Sequence, residues 1–334
     1  MKKFLQNSIV CVLHILLAAG CGRDAEPQSG GAGKARGRVS VVATSFAPFD
    51  FARMIAGGRA EVAMLLPPGA ESHSFEPTPR DVIRVKNCDL FIHVGGKSDA
   101  WVEALLNAAE VDRKKVVTLM DCVAVVEEKF VEGMQRGGHG GHGGHDDHEH
   151  DGHARAAQPE YDEHVWTSPK NALLIVQKIS AALAESDPAN ANAYLMNTLN
   201  CIGNLVLLDY KFESLADSAA RKTIVFGDRF PFRYLADAYG LEYFAAFPGC
   251  ASETEPSAAT MKFLIDKIND EKIPVVFHIE LSSRKIADAI SEATGAKVLQ
   301  LHSCHNVSKS DFKRGATYLG LMSQNVENLR EALR

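Results

Sequence analysis

Residues 189–219 read ANANAYLMNTLNCIGNLVLLDYKFESLADSA, an unbroken stretch without proline. Its apolar side chains recur at helical spacing: Tyr194, Leu195, Leu199, Ile202, Leu205, Leu208, Phe212 and Leu215. The pattern predicts a single helix of about thirty residues, roughly 45 Å long at 1.5 Å per residue, longer than most globular helices. What lies on either side decides its purpose. Before it, RVSVVATSF, AEVAMLLPPG, DLFIHVGG and KKVVTLMDC read as strands, separated by the helical stretches FDFARMIAGG, TPRDVIRVKNC and SDAWVEALLNAA. After it, KTIVFG, LEYFAAF, IPVVFHIE and KVLQLH alternate with FPFRYLADAYG, TMKFLIDKIND and RKIADAISEATG. Strand–helix alternation is the signature of a parallel α/β sheet. The chain therefore reads as two parallel-sheet α/β lobes, 38–188 and 220–334, joined by a long rigid helix at 189–219. Local signals set the helix starts: Thr78 before Pro79 and Ser168 before Pro169 are N-cap and first-turn pairs, the latter opening SPKNALLIVQKISAALAES.

At 334 residues and 46% hydrophobic content the chain can bury two substantial cores. A net charge of −6 and a pI near 6.1 argue against a nucleic-acid binder. No mid-chain apolar stretch approaches the roughly 20 residues of a membrane-spanning helix. The start of the chain differs: MKKFLQNSIVCVLHILLAAGC has the basic, apolar and small-residue layout of a secretory signal peptide. Its end, LLAAGC, resembles the lipobox of bacterial lipoproteins, with Ala18 where those carry a larger aliphatic residue. That resemblance implies lipidation at Cys21. Residues 22–37 then read as a flexible tether. The protein is expected in the periplasm or at the outer face of the cytoplasmic membrane, lipid-anchored.

Export permits disulfides. Cys88, Cys122, Cys201, Cys250 and Cys304 follow Cys21, and an odd number leaves at least one thiol free or paired with another chain. Cys201 sits in the helical pattern as a buried free thiol, and Cys250–Cys304 and Cys88–Cys122 are the pairings to test.

Residues 137–153, GGHGGHGGHDDHEHDGH, place six histidines among seventeen positions. Glycine at this density resists ordering and there is almost no apolar surface to bury. The segment reads as a loop whose His139, His142, His145, His148, His150 and His153 capture transition-metal ions weakly, with neighbouring carboxylates as oxygen donors. Outside it, metal-capable side chains fall just past strands, where open α/β sheets bind ligands. His73 lies in PPGAESHSFEPTP, His164 in YDEHVWTSPKNA, and His302 and His305 in LQLHSCHN.

The stretches TSFAPFDFARMIAGGRAEV, PPGAESHSFEPTPRDV, DLFIHVGGKSDAWVEALL, DEHVWTSPKNA, FRYLADAYGL and LMSQNVENL resemble the metal-binding solute-binding proteins of ABC transporters, the zinc and manganese uptake group called cluster A-I. The resemblance covers most of residues 40–330. It implies two lobes on a rigid helix with the metal in the cleft between them, and makes His73 and His164 ligands. Zinc-specific members carry a His-rich loop where 137–153 stands. The second lobe departs from the pattern. At the third ligand position, five residues before Tyr234, stands Arg229, whose guanidinium cannot ligate. Asp228 is the adjacent substitute. The fourth position falls in LHSCHN, making His302 and His305 candidates, with Cys304 a thiolate alternative if reduced. Glu280 matches an acidic position near the cleft and is expected to partner Arg229 or orient a ligand imidazole.

A nitrogen-rich donor set suits zinc; manganese prefers more oxygen. The reading is capture of zinc outside the cytoplasm and delivery to an ABC permease, by a monomer that is not an enzyme. Two rivals are a surface adhesin holding zinc or manganese and a zinc hydrolase. The hydrolase is the weaker, since the chain has no HExxH and only Glu71 and Glu76 stand as bases near His73.

Overall fold

The computed structural model describes residues 37–71, 75–134, 160–251 and 255–334. In the first lobe the β-branched runs become β1 (Val39–Ala43), β2 (Ala60–Met64), β3 (Leu90–His93) and β4 (Val116–Thr118). They form one parallel sheet in the order β2-β1-β3-β4. The connecting helices are α1 (Phe46–Ala56), α2 (Pro79–Lys86) and α3 (Val102–Ala109). Thr78 and Asp81 close a reciprocal capping box on α2 with Pro79 in its first turn, which satisfies backbone donors that a helix start leaves open. Gly57, at φ +53°, turns the chain out of α1.

α4 (Pro169–Ser186) and α5 (Ala191–Ser218) then leave the first lobe. Ser168 occupies the cap position of α4 but makes no side-chain bond to it. α5 has 28 residues, about 42 Å of helix. Its buried stripe runs Tyr194, Thr198, Cys201, Leu205, Leu208, Phe212 and Leu215. Leu199, expected in that stripe, is 38% exposed, one position round from the buried Thr198. The helix packs on α4 and α1, and Asn197 donates to the Ile55 carbonyl at 2.9 Å.

The second lobe repeats the plan with β5 (Thr223–Phe230), α6 (Arg233–Tyr239), β6 (Glu242–Pro248), α7 (Ala258–Glu271), β7 (Val275–His278), α8 (Lys285–Thr294) and β8 (Lys297–Gln300). The sheet order is β6-β5-β7-β8, again all parallel. The register of β5 on β6 slips between Phe226 and Arg229. Gly227 lies in that slip, and a Cβ there would come within 2.6 Å of the Ala287 Cα of α8. An irregularity of this kind re-aims the residues beside it, here Asp228 and Arg229.

After β8 the chain crosses back. The Phe46 N–H donates to the His305 carbonyl at 2.9 Å and the Gly69 N–H to Val307 at 2.8 Å. α9 (Lys309–Lys313) follows, and Phe312 at its end packs on Phe49 with ring centroids 5.7 Å apart. Arg53 donates to the Ala316 carbonyl at 3.1 Å. Buried Asp50 takes the Tyr318 N–H at 2.6 Å and the Arg53 guanidinium at 2.5 Å. Then α10 (Tyr318–Ala332) packs along α5. Residues 305–318 thus contact the first lobe although they follow the last strand of the second. One core cluster draws residues from both lobes, α5 and this crossover.

Candidate metal centre

His164 is held from every side. Residues 160–162 pair with 126–128: the Glu128 N–H donates to the Glu160 carbonyl at 2.8 Å and the Asp162 N–H to Val126 at 2.9 Å. Tyr234 anchors the same point, its hydroxyl donating to the Asp162 carbonyl at 2.8 Å. His164 then enters a short 3₁₀ turn, Val165–Thr167, closed by the Thr167 hydroxyl on the His164 carbonyl at 2.8 Å. Trp166 is wholly buried behind it and donates its indole N–H to the Ser303 carbonyl at 2.7 Å. The side chain of His164 meets Asp162, with Nδ1 3.0 Å from Oδ1. An ionised carboxylate only accepts, so Nδ1 carries the proton and Nε2 presents its lone pair. Burial pulls the His164 pKa down, but Asp162, Glu163 and Glu128 together outweigh it and raise it above the ordinary value.

His305 arrives from the crossover. Its N–H donates to the Ser303 hydroxyl at 3.2 Å, and Asn306 beside it donates to the carbonyls of Pro67 and Ala70 at 2.9 and 2.8 Å. The imidazole rings of His164 and His305 stand 5.6 Å apart by centroid, edge to face, and the Trp166 ring lies 5.2 Å from His305. Both histidines line a pocket with about 370 Å³ of empty volume, together with Glu71, Arg229, Gly249 and Glu280. A Cβ on Gly249 would sit 3.0 Å from the Phe230 carbonyl and 3.3 Å from the His164 ring, so glycine there keeps that wall open.

The remaining expected residues divide sharply. Cys304 has φ +61°, a left-handed backbone that sends His302 and His305 in different directions. The His302 ring turns inward, its Nδ1 accepting the Cys304 N–H at 2.9 Å, and it does not join the pocket wall. Of the two histidines expected here, only His305 reaches the cleft. Asp228 does not reach it either. Its carboxylate accepts the N–H groups of Arg229 at 2.8 Å and Ile279 at 3.1 Å, and the Ser282 hydroxyl. It ties β5 to the loop after β7. Arg229, at the slip in β5, does face the pocket and pairs across the lobes with Glu71 at 3.3 Å. Glu280 lines the pocket without pairing with Arg229, and its Oε2 lies 3.6 Å from the Nδ1 of His302. Its oxygens accept the Ser303 N–H at 2.7 Å and the Ser303 hydroxyl at 2.5 Å.

Cys88, Cys122, Cys201, Cys250 and Cys304 are all free thiols, so neither expected disulfide is formed. Cys304 is wholly inside the core, whereas Cys250 lies past β6 near Glu163. Burial pushes both thiols well above the ordinary range, which keeps Cys304 from serving as a thiolate in the metal-free protein. His73, Cys21 and the histidines of 137–153 lie outside the described residues.

One participant escaped the sequence reading. Among the described residues, a single group of three could hold a metal ion: Glu163, His164 and His305, with one donor atom from each all within 4.8 Å of one another. Burial raises the Glu163 pKa against the opposing pull of His164 and the Ser98 N–H. The available signal was its adjacency to His164 in DEHVWTSP, a signal it shares with Asp162.

Two parallel-sheet lobes on a long helix, with imidazoles from different segments meeting at one pocket, are the architecture of a two-lobed solute-binding protein. The chain belongs to the ZnuA family, described as the periplasmic component A of a zinc-uptake complex, whose profile matches residues 41–332. It is 30% identical over 332 residues to the high-affinity zinc uptake system protein ZnuA of Bacillus subtilis, covering 99% of this chain and 98% of that one. It is 29% identical over 301 residues to the zinc-binding lipoprotein AdcA of Streptococcus pneumoniae, spanning 89% of this chain and 56% of AdcA. The crystal structure of the Zn(II)-bound ZnuA-like domain of that AdcA superposes with a TM-score of 0.70 at 25% identity, covering 89% of this chain and 99% of the domain. Family membership does not favour the hydrolase and adhesin readings.

Proposed function

We propose that the protein captures zinc outside the cytoplasm in the cleft between its lobes and delivers it to the membrane permease of an ABC importer. The observation that carries this reading is the pair His164 and His305, one oriented by Asp162 and the other fixed by the crossover, facing one pocket in a chain that matches a zinc-uptake family almost end to end. Two neutral imidazoles favour zinc over manganese. His73, two residues beyond the pocket residue Glu71, is a third nitrogen donor in this reading. Cys21 is lipidated and tethers the protein to the membrane, and the histidines of 137–153 collect ions weakly beside the main site. Among the described residues no helix is long and apolar enough to cross a membrane.

The test is a zinc titration of the purified protein against a competing chelator. One tight site is expected, lost in the double variant His164→Ala/His305→Ala. Retention of tight binding in that variant would refute the cleft assignment. Labelling with radioactive palmitate, abolished by Cys21→Ala, tests the anchor.

A further inference from the structure

We infer that Glu163 is the carboxylate ligand of the captured ion and completes a donor set with His164 and His305; the inference rests on the zinc-capture reading above. It begins with an unbalanced carboxylate. Glu163 is 0% exposed. Its Oε2 accepts the Ser98 N–H at 2.8 Å, whereas Oε1 is buried without a hydrogen-bond partner among the described residues. A buried oxygen in that state carries a desolvation penalty that a hydrogen bond or a cation would offset.

The surroundings are shaped to keep the glutamate there. Gly96 has φ +87°, and a Cβ on it would fall 2.7 Å from both Cβ and Oε2 of Glu163. Glycine is the residue that lets the backbone lie this close. His305 lines a second, smaller pocket of about 200 Å³ shared with Ser98, Phe75 and Trp101. Glu163 is thus tied through Ser98 to the same small pocket that His305 lines.

Other acids near the cleft are engaged elsewhere. Asp162 takes two hydrogen bonds from His164. Both Glu280 oxygens are filled by Ser303, and Asp228 has three donors. Glu71 pairs with Arg229. Glu128 shares with Glu163 the mark of an unpartnered oxygen, but its other oxygen is held by the Gly249 N–H at 2.8 Å and it is not part of the three-donor group. Two imidazoles and one carboxylate form a recognised zinc donor set that leaves a fourth position open. All three donors sit on segments bonded to the first lobe or to each other, while the second lobe turns a guanidinium toward them.

A crystal structure of the zinc-loaded whole protein tests this directly. A Glu163 oxygen at about 2.0–2.2 Å from the ion, the usual carboxylate distance, bears the inference out. Glu71, Glu280 or water alone in that place overturns it. In solution, Glu163→Gln keeps the shape and the acceptor for Ser98. Its zinc affinity should fall more than ~100-fold, beyond the ~10–100-fold typical of a group that only orients a ligand. Cobalt(II) loaded in place of zinc should show a changed visible absorption spectrum in the variant, which a merely structural role would not produce. Wild-type affinity and an unchanged cobalt spectrum in Glu163→Gln overturn the ligand assignment alone. Absence of any tight site in the unaltered protein would instead overturn the zinc-capture reading, and this inference with it.

Discussion

Asp162 accepts two hydrogen bonds from one residue: the backbone N–H of His164 at 2.8 Å and its Nδ1 at 3.0 Å, both on Oδ1. The backbone bond fixes where the histidine begins, and the ring bond fixes which nitrogen is left for a cation. Asp162→Asn keeps an acceptor oxygen but removes the charge that stabilises the Nδ1–H tautomer. Zinc affinity should drop by about 10–100-fold, the range seen when a ligand histidine loses its orienting carboxylate. Chelator competition measures it. An unchanged affinity would mean that the turn alone, through Thr167 and Trp166, positions the ring.

The same carboxylates set the response to pH, and the sign differs for the two forms of the protein. The His164 pKa is raised by Asp162, Glu163 and Glu128 against the downward pull of burial. Glu128 is itself pushed up to about 7, first by burial and then by Asp162. Each group binds its proton more tightly folded than unfolded, so its contribution to metal-free stability is present at low pH. For Glu128 it is lost as pH rises from about 4.5 toward 7, and for His164 as pH rises past its raised value above 6.5. Zinc needs the imidazoles deprotonated, so its affinity should move the other way: it rises with pH, and on acidification it begins to weaken while the pH is still above 6.5. Melting curves of the metal-free protein and zinc titrations between pH 5.5 and 8 should therefore slope oppositely. Parallel slopes would show that the cluster around His164 does not govern either.

Arg229 and Glu71 pair across the cleft with side-chain exposures of 16% and 42%. A partly exposed pair contributes little, about 0–1 kcal/mol. Arg229→Ala should leave the melting temperature of the metal-free protein nearly unchanged. It also removes a positive charge from the pocket wall, so zinc binding should tighten. A weakened zinc site would indicate that the guanidinium itself helps to build the binding-competent cleft.

How much of this was legible in the sequence depends on the range of the interaction. α2 could be placed from Thr78 and Pro79 because a capping box is a four-residue event, and α5 because periodicity accumulates over eight turns. His164 was marked by its motif. The choice between His302 and His305 was not legible, because it turns on the left-handed backbone of Cys304, a conformation that a cysteine gives no reason to expect. Arg229 was visible as an anomaly, but its partner Glu71 is 158 positions away. The crossover escaped for the same reason. Phe312 and Tyr318 find the first lobe through contacts with Phe49 and Asp50, more than 260 residues apart in sequence.

That crossover supplies a prediction about stability separable from zinc donation. Asp50 is fully buried between the Arg53 guanidinium and the Tyr318 N–H. Asp50→Ala strands a buried backbone donor at the start of α10 and should lower stability by about 1–3 kcal/mol. Urea unfolding of the metal-free variant reads the loss, and a midpoint equal to that of the unaltered protein would refute the claim that this junction holds the crossover in place.

Deletion of 137–153 separates the two stores of histidine in the chain. The described chain on either side of it is paired, with Glu127 bridging Tyr161 and the Glu128 N–H meeting the Glu160 carbonyl at 2.8 Å. A short link can therefore replace the segment without disturbing Asp162 or His164. The deleted protein should keep one tight zinc site and lose the weak, multiple uptake that follows it in a titration. Loss of the tight site on deletion would move the principal donors out of the cleft and into the glycine–histidine segment.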